Sequence, residues 1–272
     1  MLKRILDFYI EGSIHVALSV FALIQVSSIR LGIPFDFAVS GFGFFGTIVG
    51  YNFVKYDAIA RQGKPVRDVK MNVFIALSVI SFIAASGFFL MLEWLTKVIS
   101  VAVLLVTALY TLPFFPNKKT ARDWAGLKIY FVALCWVGVT VVLPVLNKGF
   151  PLTIDFYISS LQRFILVIVL LFVFEIIDMQ WDDPHLKTVP QEIGVLNTKI
   201  LGVVLISMNL ALELLKTMRK PELIVVNIVF GIFICIFLLQ ANQKRSRYYT
   251  TFWVEGITVV WWFALDWVSK NT

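Results

Sequence analysis

The sequence predicts an all-α, polytopic integral membrane protein, a bundle of nine transmembrane helices in a single transmembrane domain that covers residues 1–272. Hydrophobic residues make up 59% of the chain and charged residues only 15%, whereas a soluble domain has about 25% charged residues. Nine runs of the sequence approach the roughly 20 mostly apolar residues that a helix needs to cross a bilayer. The connections between these runs are short, which leaves no room for a separate soluble domain.

The predicted spans follow one another from residue 14 to the end of the chain. They cover residues 14–31, 35–54, 71–92, 94–113, 128–146, 157–177, 193–215, 222–241 and 250–268. The segment before them reads as an amphipathic lead-in, since it lacks the small-residue cleavage site of a signal peptide. Cys135 and Cys235 both fall within spans and are interpreted as small packing residues, with no disulfide framework implied.

Lysine and arginine are distributed unevenly over the connections. With nine spans, sixteen of the 24 basic residues lie on the side of the N-terminus and eight on the other side. Cytoplasmic connections of membrane proteins carry the excess of positive charge. We therefore expect an inner or plasma membrane protein with a cytoplasmic N-terminus. The net charge of +7 is explained by topology, so the lipid bilayer is an expected partner and nucleic acid is not.

The sixth span ends in two aspartates, Asp178 and Asp182, which are one helical turn apart. Residues at i and i+4 share one face of a helix. A charged group at the edge of the hydrocarbon layer is costly, so it indicates a functional site. Two carboxylates with Lys187 just beyond them suit a divalent metal ion and an anionic lipid headgroup. The alternative is that these residues are ordinary interfacial charges that end a membrane helix.

The segment Asp178-Met-Gln-Trp-Asp182, followed by Lys187-Thr-Val-Pro190, resembles the second aspartate motif of the UbiA-type membrane prenyltransferase superfamily. The nine-span arrangement, with motifs at the ends of the second and sixth spans, is also similar. Further resemblances are found at the second, fourth and fifth spans: Asn52, the basic pair Lys118 and Lys119, and the run Gly126-Leu-Lys128.

This resemblance implies a UbiA-like helical bundle with one cavity open to the cytoplasm. Asp178 and Asp182 are the implied catalytic residues and the ligands of Mg²⁺, the implied cofactor. The implied substrate-binding residues lie at the ends of the second, fourth and sixth spans: Asn52, Lys55, Lys118, Lys119 and Lys187.

The first motif departs from the pattern of the superfamily, which is Asn-Asp-x-x-Asp. The corresponding residues are Asn52-Phe-Val-Lys55-Tyr56, so only the asparagine is kept. Asp57 follows, but it points about 140° away from Asn52 at 3.6 residues per turn. We predict that Asp57 forms a solvated ion pair with Arg61, and the alternative is that Asp57 is a shifted metal ligand. Lys55 brings a cation where the superfamily has anions, and it could neutralise a phosphate directly.

Taken with the resemblance, these residues predict transfer or processing of a prenyl group from an allylic diphosphate, with a prenyl diphosphate or another isoprenoid lipid as the partner. The alternative is a non-catalytic relative that binds a polyprenyl lipid or a quinone, which the missing first-motif carboxylates favour. A transporter is the third and least favoured hypothesis. Glu213, Glu255 and Asp266 argue against it, because they are predicted to be interfacial charges near helix ends on the opposite side and not an intramembrane relay.

Overall fold

The computed structural model describes residues 2–61, 69–111, 126–182 and 186–271, and all regular secondary structure in these ranges is helical. The helices are α1 (Leu2–Glu11), α2 (Ile14–Leu31), α3 (Phe37–Arg61), α4 (Val69–Leu90), α5 (Trp94–Thr111), α6 (Lys128–Val137), α7 (Leu143–Asn147), α8 (Ile154–Asp178), α9 (Val189–Ile193), α10 (Val195–Leu212), α11 (Pro221–Gln240) and α12 (Glu255–Asn271). A π-helical turn, Gly138–Val142, joins α6 to α7, and a second one, Tyr249–Val254, leads into α12.

Seven of these helices are long and apolar enough to cross a membrane. They contain Ile14–Leu31, Phe37–Tyr56, Met71–Leu90, Lys128–Asn147, Ile154–Asp178, Val195–Leu215 and Pro221–Gln240. The protein is therefore an integral membrane protein, as the composition predicts. The fourth predicted span coincides with α5, whose apolar stretch, Trp94–Leu109, is shorter, and the ninth overlaps α12, which has 17 residues. The number of nine spans therefore stays a prediction.

Helix α8 forms the centre of the bundle. It packs against α2, α6, α10 and α11. Its apolar residues are buried on nearly every side, among them Val169, Phe172, Val173 and Ile176. A helix that is hydrophobic all round is stable in this position because it has neighbours on all faces. The position of α8 matters for function, since the helix that carries Asp178 is held rigidly by the core.

The connections gather at two ends of the bundle. At one end, which we call the opposite end, Asn147 Nδ2 donates to Asp36 Oδ2 at 2.7 Å and Asn147 Oδ1 accepts from the backbone N–H of Glu93 at 2.8 Å. These bonds join the connections that follow α2, α4 and α7. The other end contains the C-terminus of α8, and we call it the aspartate end.

A buried polar cluster lies toward the opposite end, between α2, α8 and the end of α10. Arg30 pairs with Glu213 and donates to Gln162 Oε1 at 2.9 Å. Lys216 Nζ lies 3.5 Å from the same Glu213 carboxylate, and its side chain is only 2% exposed. Glu213 lies near a helix end and is paired, as the sequence predicts, but its side chain is buried because this helix end is packed against α2 and α8.

Glu255 also departs from the sequence prediction. It opens α12 at the aspartate end, where its charge interacts with that of Lys55. The ninth predicted span, residues 250–268, begins on the side of the aspartate end. Glu255 lies near the start of this span, so the prediction that placed it on the opposite side was inconsistent with the span itself. Asp266 does lie near a helix end, where it pairs with the exposed Lys270 at 2.7 Å.

The buried cluster predicts a pH dependence of stability that arises from Lys216. Burial, reinforced by the positive charge of Arg30, lowers the pKa of Lys216 to about 7, although Glu213 and Asp155 act in the other direction. The pKa of an unfolded lysine is about 10.4, so between these values the unfolded chain binds more protons. The free energy of unfolding should therefore rise from about pH 7 to about pH 10.

The test is the unfolding midpoint of the wild type, Lys216→Met and Lys270→Met across this pH range. The exposed Lys270 serves as the control, and its variant should keep the wild-type slope. Lys216→Met should flatten the slope. A slope in Lys216→Met as steep as that of the wild type would show that Lys216 is not the titrating group.

Candidate functional site

The C-terminal end of α8 carries three acidic residues on successive turns: Glu175, Asp178 and Asp182. The helical hydrogen bonding continues past Asp178, since the N–H of Asp182 donates to the Asp178 carbonyl at 2.9 Å. Glu175 is buried, and its Oε2 accepts a hydrogen bond from the N–H of Val189 at 3.2 Å. Asp178 and Asp182 are half-buried and lie beyond it toward the end of the bundle.

Two cations from other parts of the chain interact with Asp178. Lys128 comes from the first turn of α6, and Arg247 comes from the connection between α11 and α12. The guanidinium of Arg247 also lies over the ring of Trp181, 4.7 Å from its centroid. Asp182 Oδ2 is buried and has no hydrogen-bond partner in the part of the chain that the structure describes. A buried carboxylate oxygen without a partner is costly unless a ligand satisfies it.

The segment after the aspartates folds back toward α6. Lys187, which is exposed, adopts a left-handed conformation with φ 46°. The N–H of Thr188 donates to Gln191 Oε1 at 2.9 Å, which helps to start the short helix α9. A Cβ built on Gly126 would lie 3.8 Å from the Lys187 carbonyl oxygen, so the start of α6 is next to this segment. The Gly-Leu-Lys run and the Lys-Thr-x-Pro segment therefore lie side by side.

Gly194 makes the turn between α9 and α10 possible. Its backbone has φ 82° and ψ 155°, a region that is essentially limited to glycine. Gly194→Ala should therefore destabilise the protein by about 1–3 kcal/mol, although a Cβ there has open space. Gly50→Ala is the matched control, because Gly50 lies inside α3 and also has open space around it.

The two unfolding midpoints, measured in the same lipid or detergent, check this prediction. The alanine at residue 50 should be neutral or stabilising by up to about 1 kcal/mol, since alanine favours a helix over glycine. Equal midpoints for the two variants would mean that the backbone at Gly194 relaxes without cost.

Asn52, near the end of α3, is surrounded by hydrogen bonds within the protein. Ser13 Oγ donates to Asn52 Oδ1 at 2.8 Å, and Asn52 Nδ2 donates to Ser78 Oγ at 3.0 Å. Lys55 Nζ lies one turn further and donates to Ser13 Oγ at 2.9 Å. We call Ser13, Asn52, Lys55 and Ser78 the Asn52 cluster. It ties α3 to α4 and to the junction of α1 and α2.

Helix α1 links the Asn52 cluster to the connection that precedes α12. The Tyr248 hydroxyl donates to Asp7 in α1, and the carbonyl of Glu11, at the end of α1, accepts from Tyr56 at 3.3 Å. Tyr248 directly follows Arg247, which interacts with Asp178. The Asn52 cluster and the aspartates are therefore at the same end of the bundle.

These contacts do not test the prediction that Asn52, Asp178 and Asp182 share one cavity. Among the described residues, no hydrogen bond or ion pair joins the Asn52 cluster to Asp178 or Asp182. Lys118 and Lys119 lie outside the described residues, and so do the side chains of Asp57 and Arg61. A shared cavity for these residues therefore stays a prediction.

Sequence reasoning gave no role to three residues that the structure places at the aspartates: Glu175, Lys128 and Arg247. Glu175 carried a usable signal, since it precedes Asp178 by three residues and so shares its helix face. Lys128 was noted only as part of a motif. Arg247 belongs to a basic run before the last span, but nothing in its spacing indicates which helix end it approaches.

The carboxylates fit one Mg²⁺ ion better than a metal cluster. The described part of the chain contains no group of three or more His, Cys, Asp or Glu residues placed around a common metal position. Mg²⁺ is commonly held by one or two carboxylates together with waters and substrate phosphates. Asp178 and Asp182 meet this requirement, and the unpartnered oxygen of Asp182 is a suitable ligand atom.

No protein-family model and no curated protein matches the sequence. Solved structures do match. A UbiA homologue from Archaeoglobus fulgidus bound to Cd²⁺ has a TM-score of 0.63 at 14% identity, with 96% of this chain and 99% of that chain covered. The same homologue bound to GPP and Mg²⁺ has a TM-score of 0.63 at 12% identity, with the same coverage. A digeranylgeranylglyceryl phosphate synthase has a TM-score of 0.58 at 16% identity, covering 98% of this chain and 99% of that one.

These likenesses define the class of fold. The predicted resemblance to the UbiA-type superfamily is confirmed at the level of the fold, which extends over almost the whole chain.

Proposed function

We propose that the protein binds a prenyl diphosphate at the aspartate end and transfers or otherwise processes its prenyl group. The observation that carries this proposal is the buried, unpartnered oxygen of Asp182, next to Asp178 and its two cationic neighbours, Lys128 and Arg247. A protein of the same fold binds GPP together with Mg²⁺, which supports this choice of ligand.

The side chains suggest how the diphosphate would be recognised. Asp178 and Asp182 would hold a Mg²⁺ ion, which supplies positive charge to the diphosphate as the allylic C–O bond breaks. Lys128 and Arg247 would contact the diphosphate oxygens and stabilise the negative charge that develops on the leaving group. Lys187, exposed beside the start of α6, would extend this basic surface, as would Lys118 and Lys119.

In the proposal Lys55 holds helices together and does not bind the diphosphate. Its ammonium already donates to Ser13 and interacts with the charges of Glu11 and Glu255. Lys55 would therefore fix α1 and α3 together and supply a fixed cation at this end of the bundle. Only one of the superfamily's two metal-binding motifs would then operate here, and we propose a single ion.

A second candidate function is a non-catalytic protein that binds a polyprenyl lipid or a quinone. The Asn52 cluster favours it, because both amide atoms of Asn52 are engaged within the protein and are not free for a metal-bound substrate. The two candidates differ in their need for Mg²⁺, since a neutral isoprenoid has no diphosphate to which an ion could bridge.

The experiment measures binding of a radiolabelled prenyl diphosphate to the full chain in lipid nanodiscs, with Mg²⁺ or with a chelator. A prenyl alcohol of the same length is the control ligand. Magnesium-dependent binding of the diphosphate supports the first candidate. Equal binding with the chelator, or equal binding of the alcohol, contradicts it and favours the second candidate. The cytoplasmic orientation of the aspartate end and the inner or plasma membrane location remain part of the proposal.

A further inference from the structure

In the part of the chain that the structure describes, the buried polar cluster near the opposite end contains two carboxylates, and neither of them forms an ion pair with Arg163. Arg30 pairs with Glu213, and Lys216 shares that carboxylate. Asp155 is a further acid near Lys216, and its oxygens accept hydrogen bonds from the N–H groups of Thr217 and Met218. These contacts leave Arg163 outside any ion pair among the described residues.

Arg163 is an unusual charge for the interior of a membrane protein. It is 4% exposed and lies about 13 Å along α8 from the first residue of that helix, at 1.5 Å per residue. Within the described ranges its guanidinium donates to neutral groups: the Leu23 carbonyl, Thr140 Oγ1 and Ser27 Oγ, at 3.1, 2.8 and 3.1 Å. Its charged neighbour is Arg30, which has the same sign. The guanidinium carbon lies 5.7 Å from the centroid of the Trp261 ring for Arg30 and 6.0 Å for Arg163. Both distances are near the limit of about 6 Å for a cation–π contact.

A small cavity lies among these groups. Its volume is about 20 Å³, which exceeds the roughly 10–15 Å³ that one water-sized particle requires. Its polar lining comes from α2, α8, α10 with the turn that follows it, and α11: Arg30, Gln162, Arg163, Asn209, Glu213 and Asn227. Arg30 Nε, on a side chain that is 9% exposed, has no hydrogen-bond partner among the described residues.

We propose that this cavity binds one small monovalent anion of halide size, held between Arg30 and Arg163. The volume admits a single particle and excludes a phosphate or carboxylate group. The lack of an ion pair for Arg163 favours an anion over water, because a neutral particle would leave this guanidinium without a counter-charge in direct contact. Among the described residues, Arg30 Nε is an unpartnered donor next to it. The amide groups of Asn209 and Asn227 also line it, but they already bond to Gln162, Glu213 and Trp261. The proposal is independent of the chemistry at the aspartate end.

The test compares the full chain in nanodiscs in chloride, bromide and gluconate salts of equal ionic strength. Saturating chloride or bromide should raise the unfolding midpoint by about 3 °C or more over gluconate, because the anion binds only the folded state. Arg163→Gln removes the charge that lacks an ion pair and should abolish this difference. Lys270→Gln, an exposed residue far from the cavity, should leave it unchanged.

A crystal of the wild-type protein grown in bromide provides the second measurement, which does not depend on whether Arg163→Gln folds. An anomalous bromide peak between the two guanidinium groups supports the proposal. Midpoints that agree within about 1 °C in all three salts would overturn it. An ordered water without anomalous signal at this position would overturn it as well.

Discussion

Replacing Glu213 by glutamine is expected to destabilise the protein by about 3–5 kcal/mol, a large fraction of the stability of a typical domain. The substitution keeps the size of the side chain but removes the carboxylate charge that Arg30 and Lys216 share. Arg30 would then remain buried without a counter-charge, and Lys216 would lose the carboxylate that stabilises its protonated form. The measurement is the free energy of unfolding in a mixed detergent titration, with the wild type treated in parallel.

Asp266→Asn is the matched control for this prediction. It also removes a carboxylate from an ion pair, but the Lys270 side chain in that pair is 70% exposed. Exposed pairs of this kind contribute only about 0.3–0.5 kcal/mol. The double variant Glu213→Leu with Arg30→Met should recover much of the lost stability, because an apolar replacement leaves fewer buried charges. A loss for Glu213→Gln no larger than that for Asp266→Asn would refute the interpretation.

The second large effect is expected at the aspartates. Asp178→Asn and Asp182→Asn should each abolish magnesium-dependent turnover of a prenyl diphosphate, if the proposed transfer reaction takes place. Each variant removes one of the two carboxylates that would hold the ion next to a highly charged headgroup. Turnover is measured as release of inorganic diphosphate from the full chain in nanodiscs, with excess Mg²⁺ and with a chelator.

Asp57→Asn is the comparison variant for turnover. Asp57 is five residues from Asn52 on α3, so it should face away from the motif and its loss should have little effect. A loss for Asp57→Asn as deep as that for Asp178→Asn would show that the first motif begins at a different residue. Turnover that persists in both Asp178→Asn and Asp182→Asn would exclude these two residues as the metal site.

Much of the fold could be predicted because the bilayer imposes a simple rule on the sequence. A spanning helix must satisfy its own backbone hydrogen bonds and must be apolar over about 20 residues. The apolar runs therefore predict α2, α8 and α11 to within a few residues. The end of α3 was missed by several residues, since the helix continues through polar residues to Arg61. Hydropathy does not report where a helix ends outside the hydrocarbon layer.

The internal polar cluster could not be predicted in the same way. Arg30, Arg163 and Glu213 are far apart in sequence, and each resembles a snorkelling charge near a helix end when considered alone. Only the packing of α2 and α8 against the end of α10 brings them together. The spacing of Asp178 and Asp182 is local and could be recognised from the sequence. The proximity of Lys128 and Arg247 to these aspartates depends on tertiary contacts between separate helix ends and could not.

The most direct test of the account is an experimental structure of the full chain with Mg²⁺ and a non-hydrolysable prenyl diphosphate analogue. The account predicts a Mg²⁺ ion in contact with Asp178 and Asp182, with the diphosphate next to Lys128 and Arg247 and the ends of α3 and α8 facing one cavity. A diphosphate bound elsewhere, or aspartates directed toward lipid with no ion between them, would contradict it.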